Sequence, residues 1–166
     1  MRIHEFCLKR SSFFSVVLVL GFMFVAEPGP IARAQGNQGC AVAIGTLHAG
    51  DHVGANEQVE GTARNLNGKF LWIFAHRTGF ALWWPQGGGP ATVDDAGHWA
   101  ITTSFGVDAD MGRDFEVAAV VVDSGVNANI LKYIERTLNT GLYPGMQFPA
   151  VDTGCGIHRV TVTRTN

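Results

Sequence analysis

The residues best suited to chemistry in this chain are aromatic. Trp83 and Trp84 are adjacent, Pro85 and Gln86 follow, and Gly87, Gly88 and Gly89 come directly after them. Neighbouring residues of a strand project to opposite faces, so one indole is expected in the core and the other outside. An outward indole beside an amide and a flexible loop makes a stacking platform for a sugar ring or for a partner's apolar side chain. The glycines would let such a ligand approach the backbone closely. The competing reading gives both rings packing duties, one in the core and one beneath the loop or a helix, because tryptophan is usually largely buried.

Oxygen and nitrogen ligands form weaker patterns. Asp108, Asp110 and Asp114 recur across one loop, and alternating carboxylates suit calcium, which takes six to eight oxygens. Gly112 falls where a further acidic ligand belongs, Arg113 adds repulsion, and no correctly spaced Glu follows. The expectation is therefore a turn in which Asp side chains accept from nearby amides. His48, Asp51 and His52 could bind zinc, but Gly50 breaks the helix that would align them. No metal or cofactor is expected. Beyond residue 34 only Ser104 and Ser124 carry a serine hydroxyl, and neither lies in a nucleophile-elbow motif. Paired carboxylates can meet in space, so a small exported hydrolase using carboxylates or a metal near Asp94, Asp95, His98 and the 108–114 loop is an alternative. Glu60 and Glu116 read as solvent-facing strand residues, and the chain has no phosphate loop or dinucleotide fingerprint.

Compartment and charge narrow the choice. Arg2, Lys9 and Arg10 precede an apolar core over residues 13–26, and Ala32 and Ala34 offer a cleavage site before Gln35. That core is shorter than the roughly 18–20 residues a bilayer span needs, so residues 1–34 read as a signal peptide. Residues 35–166 read as one domain, exported to a periplasm or to the medium. They hold eight Lys and Arg against twelve Asp and Glu, a net charge of −4 with His neutral. An unclustered acidic balance argues against nucleic acid and anionic membranes as partners. Cys7 leaves with the leader, and Cys40 and Cys155 remain as an even pair. In an oxidising compartment such a pair is expected to form a disulfide tying the first strand to the last.

The elements that must position these residues are mostly short strands. Runs at 40–47, 58–66, 70–76, 81–85, 98–105, 115–122 and 157–163 are apolar or alternating and are separated by turn residues. Leu71, Ile73 and Ala75 share one face of their strand, and Phe70, Trp72 and Phe74 the other. Phe115, Val117, Ala119 and Val121 likewise back onto Ala118, Val120 and Val122. Strands apolar on both faces need a cover. The spacing of Val126, Ile130, Tyr133, Ile134 and Leu138 predicts a covering helix over 126–139, with Ser124 as N-cap and Gly141 as its stop. Residues 48–57 read as a loop, and 142–149 as an extended connection.

Seven or so strands, one helix and a tie between the ends predict a mainly β chain, a single antiparallel β-sandwich with one helix packed on it. The runs LWIF, WWPQGG, GHW, FG and GRDFEVAAVV, across roughly 53–122, resemble an immunoglobulin- or fibronectin-III-like module of exported and surface-associated bacterial proteins. The resemblance is one of strands and turns and implies an Ig-like sandwich without assigning site residues. The helix departs from a plain seven-strand sandwich. The function expected is a non-catalytic binding module for polysaccharide or an envelope protein, touching its ligand through Trp83, Trp84, Gln86, Gly87, Gly88 and Gly89. A purely structural envelope component is the remaining alternative.

Overall fold

β-branched and aromatic residues dominate the segments that become strands, and the pleat turns their alternation into two working faces. The computed structural model describes residues 39–165; the signal peptide expected over 1–34 lies outside the described residues. Eight strands and one helix follow in order: β1 (Ala41–Ile44), β2 (His52–Val53), β3 (Asn56–Arg64), β4 (Phe70–Arg77), β5 (Trp84–Pro85), β6 (His98–Ser104), β7 (Asp114–Val122), α1 (Ser124–Thr140) and β8 (Ile157–Arg164). They build a three-stranded sheet ordered β1-β3-β6 and a five-stranded sheet ordered β2-β8-β7-β4-β5. Among the described residues the chain is thus mainly β with a single α-helix, as its patterning implies.

Two details differ from expectation. The segment read as a loop contains β2, which runs parallel to β8 with His52 opposite Thr163, so the larger sheet is mixed and only the smaller is antiparallel throughout. Two residues are too few to show a period, and what recruits them is backbone bonding. Gly50 N donates to Thr161 O, and Thr163 N donates to Asp51 O, which satisfies the outer edge of β8. The helix cap is Asp123 rather than Ser124; its carboxylate accepts from Val126 N at 2.8 Å and Ser124 becomes the first helical residue. Gly141 ends the helix in the left-handed conformation.

Apolar side chains gather in two layers. One contains Val59 and Trp99 from the smaller sheet with Leu71, Ile73, Val117 and Val162 from the larger. The other lies on the opposite face of the larger sheet, where Trp72, Phe74 and Val120 meet Ile130 of α1 and Phe148 of the following connection. β4 and β7 therefore bury both faces, which explains their lack of polar alternation. A buried bond from Trp72 Nε1 to Asn127 Oδ1, 2.9 Å long, fastens α1 to the strand beneath it.

The two sheets are joined at both sides. Cys40 and Cys155, 115 positions apart, form the expected disulfide, with Cα atoms 4.3 Å apart. Nearby, Ile44 N donates to His158 Nδ1 at 3.0 Å, joining β1 to β8. At the far side Gln86 does the same work: its backbone N donates to Ile73 O of the larger sheet, and its side-chain oxygen accepts from Ser104 N of the smaller, both at 2.8 Å.

Candidate functional site

The register of β5 on β4 decides where the adjacent indoles go. Ala75 stands opposite Trp84, so Trp84 takes the face that β4 turns toward the smaller sheet, while Trp83 takes the other. Trp83 is 6% exposed. Its ring stacks on His76 with centroids 3.7 Å apart and meets Phe148 at 4.7 Å, and the Arg159 guanidinium lies 5.3 Å from its centre. Trp84 is half-buried. Its indole N–H donates to Tyr143 O at 2.9 Å, and a Cβ on Gly145 would crowd the ring's edge. The polar edge of Trp84 is thereby engaged and its orientation fixed.

The residues after Trp84 divide between packing and exposure. Gln86 is buried, and besides accepting from Ser104 it donates from Nε2 to Trp84 O at 2.9 Å. Residues 87–90 leave the ladder between Gln86 N–Ile73 O and Ala91 N–Leu71 O, forming an enlarged bulge. Gly87 has φ 73° and lies against Ile101, leaving no room for a Cβ. Gly88 and Gly89 face open space. Of the six residues expected to form a ligand surface, Trp83 and Gln86 are thus buried in the packing, and Trp84, Gly87, Gly88 and Gly89 retain accessible surface.

Trp84 and Gln86 help to line a recess of about 240 Å³, together with Phe80, Ser104, Val107 and Phe115. Large apolar groups stand at its mouth: Phe80 is 46% exposed and Val107 67%. Arg77 lies along one wall, its guanidinium 4.0 Å from the Phe80 ring centre and its Nη1 donating to Asp110 Oδ1 at 2.9 Å. Asp110 also accepts from Val107 N at 2.9 Å. That amide above all, with Arg77 behind it, holds the Asp110 carboxyl below the ordinary aspartate value. Arg164, only 2% exposed, donates to the carbonyls of Phe105 and Val107 and reaches Asp108 at 3.4 Å, so it fixes the loop from below. Phe80, Arg77 and Val107 carry no sequence signal of a site, because each stands singly in a turn or at a strand end.

The aspartates that could hold calcium do not converge. Asp108 meets Arg164, Asp110 meets Val107 and Arg77, and Asp114 accepts from Thr163 Oγ1 at 2.7 Å. Among the described residues no three His, Cys, Asp or Glu side chains are placed to hold a metal ion. His48 and Asp51 form an exposed turn in which His48 N donates to Asp51 at 2.7 Å, while His52 belongs to β2.

The residues named for hydrolysis are also separated. Asp94 accepts from His98 N at 2.7 Å, and this bond first of all lowers its carboxyl pKa. Asp94 and His98 border an open groove of about 590 Å³ that also passes Glu60 and Thr62. The six steps from His98 to Ser104 span roughly 20 Å of strand, which puts this pair and the 108–114 loop at opposite ends of β6. Glu116, expected to face solvent, accepts from Arg159 Nη1 at 2.7 Å and lies 3.4 Å from His76 Nε2. His76 Nδ1 sits 3.0 Å from Phe80 O, which can only accept, so that nitrogen carries a proton.

No helix among the described residues is long and apolar enough to cross a membrane. The chain matches no protein-family model and no curated protein sequence.

Proposed function

We propose that this chain is an exported, non-catalytic binding module with an Ig-like β-sandwich plan, which holds a polysaccharide or an envelope protein at the recess beside Trp84. The observation carrying the reading is a half-buried indole, oriented through Tyr143 O, that lines an apolar recess with exposed Phe80 and Val107 at its mouth. Apolar surface concentrated in this way is usually kept for contact. The disulfide supports export, since such bonds persist in oxidising compartments. A binding role also suits the carboxylates: Asp94 and Asp110 are bonded to backbone amides that stabilise their charge, whereas a general acid needs a raised pKa.

Co-sedimentation of the purified protein with isolated cell envelopes tests the reading. Trp84→Ala is expected to fold and to lose retention. Retention equal to wild type would retire this surface, and no retention of wild type at all would leave a purely structural role.

A further inference from the structure

The chemistry of the recess narrows its occupant, provided that the binding reading above holds. Most of its polar side chains already have a partner within the protein. Arg77 and Asp110 neutralise one another. Both ends of the Gln86 amide are bonded, to Trp84 O and to Ser104 N. The His76 ring nitrogens face Phe80 O and Glu116, and the Trp84 N–H is held by Tyr143 O. Among the described residues, the Ser104 hydroxyl is the one polar side-chain group of the lining without a protein partner. A sugar ring enclosed here would leave most of its hydroxyls unpaired, and each polar group buried unpaired costs about 1–3 kcal/mol. A charged group would lose its hydration and meet an ion pair that is already neutral. An uncharged apolar group meets no such cost. The recess, about 240 Å³, is also below the roughly 300–1,000 Å³ usual for small-molecule sites, and it suits a single anchoring side chain.

We propose that the recess receives one uncharged apolar side chain, aromatic or branched aliphatic, from a protein partner. Trp84 and Phe80 supply its walls, the Arg77–Asp110 pair closes one side without presenting net charge, and the exposed Val107 extends the contact outward.

Nuclear magnetic resonance titration of the purified protein separates the outcomes, with N-acetyl-phenylalaninamide as one probe and chitotriose as the other. The expected result is that the amide shifts the Trp84 indole N–H and the amides of Ser104 and Val107, and that chitotriose does not. Phe80→Ala, at unchanged melting temperature, should weaken the amide by about tenfold. Should Phe80→Ala fold poorly, Val107→Ser provides the same test from the mouth. Shifts from chitotriose alone would overturn the side-chain proposal while keeping the binding reading. Silence of those resonances to both probes would remove both. Concentration-dependent dimerisation that Phe80→Ala abolishes would make a second copy the occupant and overturn the proposal.

Discussion

Trp83 and His76 lie ring on ring, 3.7 Å between centroids and 19° from parallel, on the face of β4 that also carries Trp72 and Phe74. That pairing separates two residues that composition cannot separate. Trp83 is a core residue with Phe148 and Arg159 beside it, whereas Trp84 lies across the strand with its N–H held and part of its ring open. Trp83→Ala is expected to cost about 3–5 kcal/mol, as for other large aromatic deletions. Trp84→Ala should cost only roughly 1–2 kcal/mol. Urea unfolding followed by circular dichroism measures both, and equal losses would show that Trp84 is as fully packed as its neighbour.

The three consecutive glycines should behave as three different positions. Gly87→Ala meets both a left-handed backbone and the Ile101 side chain, so it is expected to destabilise most. Gly88→Ala faces open space at φ 74° and should cost about 1–2 kcal/mol for conformation alone. Gly89→Ala has neither penalty and should stay within about 0.5 kcal/mol of wild type. Melting temperatures of the three variants check the order.

Reduction of Cys40–Cys155 should lower stability by about 4–5 kcal/mol, the chain-entropy value for a loop longer than one hundred residues. Paired thermal melts with and without reductant, alongside a Cys40→Ser/Cys155→Ser variant, measure it. Melts unaffected by reductant would mean that the remaining joints between the sheets suffice.

Acid sensitivity should trace in part to Asp110. Its folded-state pKa is lowered, first by the Val107 amide and then by Arg77, so the charged form is the stabilised one. The contribution is complete above the unfolded aspartate value of about 3.9 and fades as pH falls through the lower folded value. Asp110→Asn should therefore be less stable than wild type at neutral pH and converge on it at the acid end. A constant gap at every pH would show that charge is not the cause. Asp94 and Asp152 are shifted the same way, by His98 N–H and by Lys69 respectively, so the wild-type acid limb should be a composite.

Strand positions and the covering helix were legible because burial imposes a period. β4 and β7 read as doubly apolar, and α1 was placed by the recurrence of Val126, Ile130 and Ile134. The disulfide was expected from the even pair that Cys40 and Cys155 make when residues 1–34 are read as a signal peptide. β2 was not legible, since its pairing with β8 is made by backbone groups and leaves no mark on residue type. Trp84 was legible as one of a pair, but which of the pair faces out depends on the register with Ala75, which the sequence does not carry. Phe80, Val107 and Asp110 come together through turns at one end of the fold, where neither period nor motif operates. Ser124 reads as the cap in the sequence, and the geometry of the turn gives that place to the Asp123 carboxylate.

The position of β8 constrains the order in which the molecule can be made. It stands between β2 and β7, so an early strand waits for residues near 160 before it has a neighbour, and Cys40 waits just as long for its mate. Until then two strand flanks stay open to stray pairing. Chains with such distant contacts fold slowly and are vulnerable to aggregation meanwhile. A newly made copy therefore depends on its last segment arriving promptly, and truncation even a few residues into β8 should leave a chain that never closes.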